Sequence, residues 1–202
     1  MALAACGGRE QPALPPLVSG YGYLTSIRLN VATVQILDPE PVAVRLDEPV
    51  PVRPDAEMLR MGQERLVAMG TEGAARFSIQ TAEFRRTRSL GSGGLAGMFA
   101  GEPGERLSVL LRARLEILDP EGQRNAYVEA EARHTRTLPD GSSAAARRTG
   151  AEQAVRQAME ELNVEFEFQI RRALRDWLVE GPVPPAAPIG PGGIEREDMP
   201  RS

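Results

Sequence analysis

The stretch that decides the fold is residues 107–135, which read LSVLLRARLEILDPEGQRNAYVEAEARHT. In its first part, apolar residues alternate with polar ones, the period of a half-buried strand; the apolar positions are Leu107, Val109, Leu111, Ala113, Leu115 and Ile117. The same alternation returns at Ala126, Val128, Ala130, Ala132 and His134. The intervening Asp119-Pro120-Glu121-Gly122 is typical of a type I turn. These residues predict an antiparallel hairpin whose small alanines let a helix pack closely.

A long helix follows the hairpin. It is predicted to begin at Ser143 or Thr149 and to end near Val179, before Gly181-Pro182. Its apolar stripe recurs at spacings of three and four at Ala151, Val155, Ala158, Leu162, Phe166, Ile170, Leu174 and Trp177. Val164 and Phe168 lie off this stripe, so a second apolar patch is available to a partner or to an oligomer mate.

The N-terminal half carries weaker signals. Residues 27–31 alternate as a strand, and the phase changes at Val34 and Ile36, which suggests a β-bulge. Five prolines in residues 39–54 favour an extended linker or an edge segment. A helix is predicted from Asp55, as its N-terminal cap, to Gly70, with an apolar face at Leu59, Gly62, Leu66 and Met69. A strand is predicted to start near Ala75, Phe77 and Ile79.

The order of elements is therefore β-α-β-β-β-α, which predicts an α+β fold. We expect a two-layer sandwich, with a mostly antiparallel sheet of about four strands covered on one face by two helices. The folded domain is predicted to span residues 22–180. Residues 1–21 precede it, with a motif around Cys6 followed by a Pro-rich tether, and the Pro/Gly-rich composition of residues 181–202 predicts a disordered tail.

Composition narrows the function classes. Hydrophobic residues make up 42% and charged residues 26% of the chain, which excludes a polytopic membrane protein and a wholly disordered chain. The net charge of −4 gives no support to nucleic-acid binding, which usually needs a basic face. All 24 basic residues are Arg, but they form no cluster that would indicate an anion site.

The sequence predicts no enzyme, metal site or cofactor. His134 is the only histidine and Cys6 the only cysteine, so no second residue of either type completes a zinc site or a catalytic pair. Glu129 and Glu131 share one strand face, as paired catalytic carboxylates do. Arg112 and Arg114 are expected opposite them, so a solvated charge ladder is the preferred interpretation.

Cys6 directly follows Leu3-Ala4-Ala5, and this motif resembles the lipobox of bacterial lipoproteins. The resemblance implies cleavage before Cys6 and attachment of acyl chains to it, which anchor the protein to a membrane. A secretory signal also needs a basic region and an apolar stretch of about 7–15 residues. Only Met1–Ala5 precede Cys6, so either the native start codon lies upstream of Met1 or the match is accidental.

With residues 9–20 as a Pro-rich tether, the order of elements resembles that of Gram-negative envelope lipoproteins. Similar layouts occur in the lipopolysaccharide-assembly lipoprotein and in auxiliary lipoproteins of ABC-type lipid transporters. Residues 23–25 and 29–32, with the hairpin and the long helix, also resemble lipoproteins of alphaproteobacteria. In the sorting rule of enteric lipoproteins, an Asp after the lipidated cysteine retains the protein at the inner membrane. Gly7 stands there instead and implies the outer membrane.

The resemblance implies a periplasm-facing accessory or scaffold protein of an envelope assembly or transport complex, which acts by binding. The alternative is a carrier that holds a lipid or another apolar ligand between sheet and helices. The implied partners are the membrane, through lipidated Cys6, and an envelope protein; the oligomeric state stays open.

Residues 89–104 form a Gly-rich loop that lacks the Gly-Lys-Ser/Thr of a phosphate loop. It is either a plain hairpin connection or a partner contact made by Leu95, Met98 and Phe99. Trp177, near the end of the long helix, is a further candidate contact.

Overall fold

The structure is a computed structural model that describes residues 20–89 and 104–179. Within this part of the chain, the predicted α+β sandwich is confirmed. The predicted lipidation residue Cys6, the tether up to residue 19, the loop residues Leu95, Met98 and Phe99, and the predicted tail all lie outside the described residues.

The described residues form seven strands and two α-helices. The strands are β1 (Ile27–Leu29), β2 (Thr33–Ile36), β3 (Val44–Leu46), β4 (Leu66–Ala68), β5 (Ala74–Ser89), β6 (Gly104–Leu118) and β7 (Arg124–Pro139). The helices are α1 (Pro54–Arg65) and α2 (Ala144–Ala173), and short 3-10 helices occupy Pro41–Ala43 and Arg175–Trp177.

The main sheet has five strands in the described chain. Its order is β2-β5-β6-β7, and β3 also pairs with β5, beyond β2 along that strand. The strands β5, β6 and β7 are antiparallel neighbours, whereas β2 and β3 run parallel to β5. β1 and β4 form a separate parallel pair. The sheet therefore has one strand more than expected, because part of the proline-rich segment pairs as an edge.

The predicted hairpin is confirmed as β6 and β7. Leu111 pairs with Ala132, and the alternating apolar residues of β6 are all buried. Gly122 N donates to Asp119 O at 3.0 Å and closes the turn. Gly122 has a φ of +83°, in the left-handed region that glycine adopts without steric cost.

The bulge expected at Val34 and Ile36 is wrong. The phase changes there because the chain leaves the small β1–β4 pair and joins the main sheet as β2. Between the two strands, Ala32 N donates to Glu72 O at 3.0 Å, which holds the bend in place. The register shifts of the main sheet lie instead in β5, between Ile79 and Thr81, and in β6, between Ile117 and Leu118.

The bounds and the buried face predicted for α1 need correction. The helix begins at Pro54, whose ring favours the first helical position. The Asp55 carboxylate accepts a hydrogen bond from Arg53 at 2.8 Å and caps no backbone N–H in this structure. The helix ends at Arg65, since the next residue, Leu66, begins β4 and pairs with Ile27 of β1. The buried positions within the helix are Pro54, Asp55, Met58, Met61, Gly62 and Arg65, and the expected face residue Met69 is exposed.

The long helix is confirmed as α2. The Ser143 side chain caps it by accepting a hydrogen bond from Ala146 N at 3.2 Å. The predicted stripe is buried from Ala151 to Leu174. The helix ends at Ala173 and not near Val179, because the chain turns back to β1, where Asn30 N donates to Trp177 O at 2.7 Å.

Both helices cover the same face of the main sheet. α2 packs on β6 and β7, and α1 packs on β5 and β2. Alanines of the hairpin and of α2, among them Ala113, Ala130, Ala154 and Ala158, are buried between the layers. At the centre, the rings of Phe77 and Phe166 meet edge to face, with their centroids 5.6 Å apart.

Candidate functional site

Of the predicted contact residues, Trp177 alone lies in the described part of the chain. It is partly buried against the core, and its carbonyl is held by Asn30. It borders a polar depression of about 290 Å³, together with residues such as Asn125 and Asp176. Its role as a partner contact stays a prediction.

A partly apolar groove lies between α1 and α2. It has a volume of about 430 Å³ and opens to the surface. Val155 and Met159 of α2 line it together with Tyr21 and Tyr23, which come from the segment that enters the domain. The helices leave this space because α1 lies over one half of the sheet and α2 over the other.

Tyr21 anchors the entering chain beside this groove. The residue is buried, and its backbone N–H donates to the carboxylate of Glu64 in α1. Burial raises the pKa of the Tyr21 phenol well above its usual range, and the nearby Glu57 carboxylate adds to the effect. The phenol is therefore neutral at physiological pH. An Arg60–Glu57 ion pair lies at the same groove.

Arg65 fastens the two helices under the groove, and sequence reasoning missed it. Its guanidinium is almost fully buried and donates to Asn163 Oδ1 at 2.5 Å, to Glu167 Oε2 at 2.6 Å and to Thr25 O at 3.0 Å. The sequence does indicate that position 65 is buried, because Arg65 continues the row of Met58, Met61 and Gly62 on one face of α1 at helical spacing.

The single histidine joins β7 to α2. His134 Nδ1 lies 3.0 Å from Glu161 Oε1. Arg136 and Arg156 border the same open polar recess, whose volume is about 490 Å³. With one imidazole and one carboxylate in contact, the arrangement ties two elements together.

The open face of the main sheet carries the predicted charge ladder. Arg112 Nε donates to Glu131 at 2.9 Å, and Arg114 Nε donates to Glu129 at 2.8 Å. Arg114 also lies over the Tyr127 ring, at 5.2 Å from its centroid. The two glutamates are paired across strands with arginines, which is how solvated ladders stabilise a sheet.

The described residues hold no cluster of three or more His, Cys, Asp or Glu side chains arranged for a metal ion. Neither of the two helices in residues 20–89 and 104–179 combines the length and the apolar character needed to cross a membrane.

Comparison with solved structures finds several similar chains. One is a homolog of the neuraminyllactose-binding hemagglutinin from Helicobacter pylori, with 9% identity, coverage of 70% of this chain and 88% of that chain, and a TM-score of 0.38. A minor lipoprotein from Acinetobacter baumannii has 9% identity, coverage of 76% and 99%, and a TM-score of 0.29. Rare lipoprotein B from Shewanella oneidensis has 12% identity, coverage of 69% and 98%, and a TM-score of 0.30.

Two of these three proteins are named as lipoproteins. No family model matches the chain, and no curated protein matches it in sequence. With no TM-score above 0.38 among these three structures, the likenesses assign neither a family nor a function to this chain.

Proposed function

We propose that this protein is a lipid-anchored, periplasm-facing accessory lipoprotein that acts by binding to an envelope assembly or transport complex. The anchor is Cys6, which follows the small residues Ala4 and Ala5 as a lipoprotein signal peptidase requires. Gly7 after the cysteine favours the outer membrane over the inner one.

The filled interior of the sandwich is the observation that favours binding at the surface. Phe77, Phe84 and Phe166 are fully buried between the layers, together with Leu111, Leu115 and Leu162. A carrier needs an apolar cavity of several hundred Å³ in which most of a ligand is buried. Here the buried residues of the sheet and of the helices contact one another across the layers, so we expect a partner to bind at the outer surface of the domain.

A second candidate function is the carrier, and the groove between α1 and α2 supports it. Val155, Met159 and Tyr21 give about 430 Å³ of partly apolar space. The groove is open, and charged side chains such as Arg60 and Arg156 line it. A carrier purified under native conditions retains a lipid that mass spectrometry detects as a discrete added mass, whereas a protein that only binds partners at its surface does not.

The anchor is tested by labelling a Gram-negative host with a palmitate analogue while it expresses the chain from its native upstream sequence. The expected result is a labelled protein that loses its label in the Cys6→Ser variant. Ala5→Arg should also abolish labelling although it keeps the thiol, because a bulky charged side chain blocks the protease cleft. Ala13→Arg is the matched control and should label normally. An unlabelled native protein with a free thiol would contradict the proposal.

A further inference from the structure

β7 presents a long free edge. It runs for 16 residues from Arg124 to Pro139 and pairs with β6 on one side only, and no described strand covers its other side. The outer backbone N–H and C=O groups of such a strand are a template for another strand. Natural proteins pair such edges, cover them, or protect them with charged side chains, prolines and β-bulges.

The charges on this edge complement those of the same strand in a second molecule. On the open face of the sheet, Glu131 and Arg133 flank the small residue Ala132. Glu131 Oε2 is held by Arg112, whereas Arg133 is 69% exposed and lies 3.7 Å from Glu131 Oε1. We infer that two copies of this chain form a dimer by antiparallel pairing of β7 with β7, about a twofold axis at Ala132.

This register is selected by charge. With the axis at Ala132, each Glu131 lies opposite Arg133 of the other copy, which gives two symmetric ion pairs. An axis at Glu131 also gives two ion pairs, between Glu129 and Arg133, but sets Glu131 against its own copy. An axis at Arg133 sets Arg133 against its own copy and pairs no opposite charges. Like charges directly opposite destabilise a sheet, so both shifts are disfavoured.

A second, independent feature marks the same axis. α2 runs back along β7, because Gly150 lies against Leu138 and Glu161 contacts His134. From His134 to Ala132 the strand rises by two residues, which is about 6.6 Å, and four residues of α2 beyond Glu161 cover nearly the same distance, about 6 Å. The part of α2 at the level of Ala132 is therefore close to residue 165.

At this level α2 carries its exposed apolar side chains. Val164 is 72% exposed and Phe168 is 53% exposed. Phe168 lies seven residues after Glu161, on the side of α2 that reaches His134 of the edge strand. Val164 lies on the helix surface that faces away from the sheet, midway between the sides of Glu161 and Glu167. Asn163 and Glu167 face Arg65 of α1 on the other side of the helix. In the patch formed by Val164 and Phe168, Phe168 is thus placed to meet its copy across the axis, and Val164 borders that contact.

The spacing of the layers permits both contacts together. Paired strands lie about 4.8 Å apart, and packed helices about 8–10 Å apart. α2 packs on β6 as well as on β7, so its axis is set back from the free edge. With each α2 axis set back from its own edge strand by about half of the strand spacing, the two α2 axes lie about 10 Å apart.

The dimer also agrees with the proposed anchor, and this step rests on the proposed function. A twofold axis between antiparallel strands of one sheet is perpendicular to that sheet, so both helical layers lie on the same side. Gly20, where the described chain begins, lies against Glu64 of α1 in that layer. The two tethers would therefore leave the same side of the dimer and reach one bilayer.

The test measures the mass of the full chain by sedimentation over a range of concentrations, in its unlipidated Cys6→Ser form. The expected mass is twice 21.9 kDa at high concentration. Arg133→Glu places glutamates opposite glutamates, and Glu131→Arg places arginines opposite arginines. Each variant alone should raise the dissociation constant of the dimer about tenfold or more. An equimolar mixture of the two should restore the dimer, because each strand then meets the opposite charges.

Two further variants separate the interface from the fold. Phe168→Ser should weaken the dimer while circular dichroism stays unchanged, because the side chain is exposed in one copy. Arg106→Glu makes the same charge change on the open face of the central strand β6 and should leave the mass unchanged. A monomer at every concentration would overturn the inference, whether the edge is covered by residues 180–202 or by a different protein. A dimer that resists Arg133→Glu would also overturn it.

Discussion

At the scale of single residues, Arg65 holds the helical layer together. Its side chain is 1% exposed, and an ion kept out of water is tolerated only with charged and hydrogen-bonding partners. Glu167 supplies the negative charge from α2, while Asn163 and the Thr25 carbonyl accept further hydrogen bonds. One arginine thus connects α1, α2 and the segment that enters the domain.

Removing the partner charge of Arg65 should be costly. We expect Glu167→Ala to lower the free energy of unfolding by about 3 kcal/mol, because it leaves a buried cation without its carboxylate. Glu160→Ala, on an exposed part of the same helix, should change it by less than about 0.5 kcal/mol. Urea unfolding of both variants measures the difference, and equal effects would show that the ion pair contributes nothing.

The same carboxylate sets a pH dependence. Partial burial raises the pKa of Glu167, but the hydrogen bonds from Arg65 and Arg171 outweigh it, so the pKa in the folded protein lies below the ordinary 4.5. A lowered pKa contributes stability that is present above the unfolded-state pKa and is lost as the pH falls through the folded-state value. The difference between wild type and Glu167→Ala should therefore shrink on acidification below the ordinary Glu pKa.

At the scale of elements, the short strands depend on close backbone packing. β4 runs beside β1, and Gly70 N donates to Val31 O at 3.0 Å just after the pair. A Cβ at Gly70 would lie 2.6 Å from the Asn30 carbonyl carbon and 2.7 Å from Val31 N. Gly70 is therefore required by the neighbouring chain, and it does not end a helix as its sequence context suggested.

Gly70→Ala should lower the free energy of unfolding by about 1–3 kcal/mol, because backbone atoms must move to admit the methyl group. Gly22→Ala is the matched control, since a Cβ there meets no atom within 4 Å. Thermal unfolding compares the two variants. If both unfold at the wild-type temperature, the close approach of the two segments is not present in solution.

At the scale of the whole molecule, the end of the described chain closes the fold. After α2, Leu174 is fully buried, and Val179 N donates to Arg28 O at 2.9 Å, so the last described residues pair with β1. The domain thereby joins its first strand to its last segment. The predicted domain boundary at residue 180 falls directly after this contact.

Two truncations test that boundary. Removal of residues 181–202 should leave the melting temperature unchanged. Removal of everything after Ala173 also deletes Leu174 and the residues that bond to β1, and should cost at least about 2 kcal/mol, comparable to exposing one buried leucine. A shorter chain that melts like the longer one would mean that the return to β1 does not stabilise the domain.

The elements that could be predicted are those whose own residues repeat a pattern over many positions. β6 and β7 keep a period of two over residues 107–117 and 126–134, and α2 keeps its apolar stripe from Ala151 to the end of the helix. β2, β3 and β4 have three or four residues each, too few for a period to show, and the alternation of residues 27–31 predicted β1 but not its partner. Their partners are far away in the sequence, so pairing alone decides that Leu66 leaves the helix and joins Ile27.

By itself, then, the sequence determined the α+β class, the hairpin, the long helix, the charge ladder and the Leu-Ala-Ala-Cys motif, because each is a local pattern of neighbouring side chains. Only the tertiary structure decided where α1 ends, why Gly70 has no side chain, and which arginine is buried. It alone brought the exposed Val164–Phe168 patch to the level of Ala132 on a free edge. These features depend on residues that are distant in sequence, and their packing energy exists only once the chain has folded.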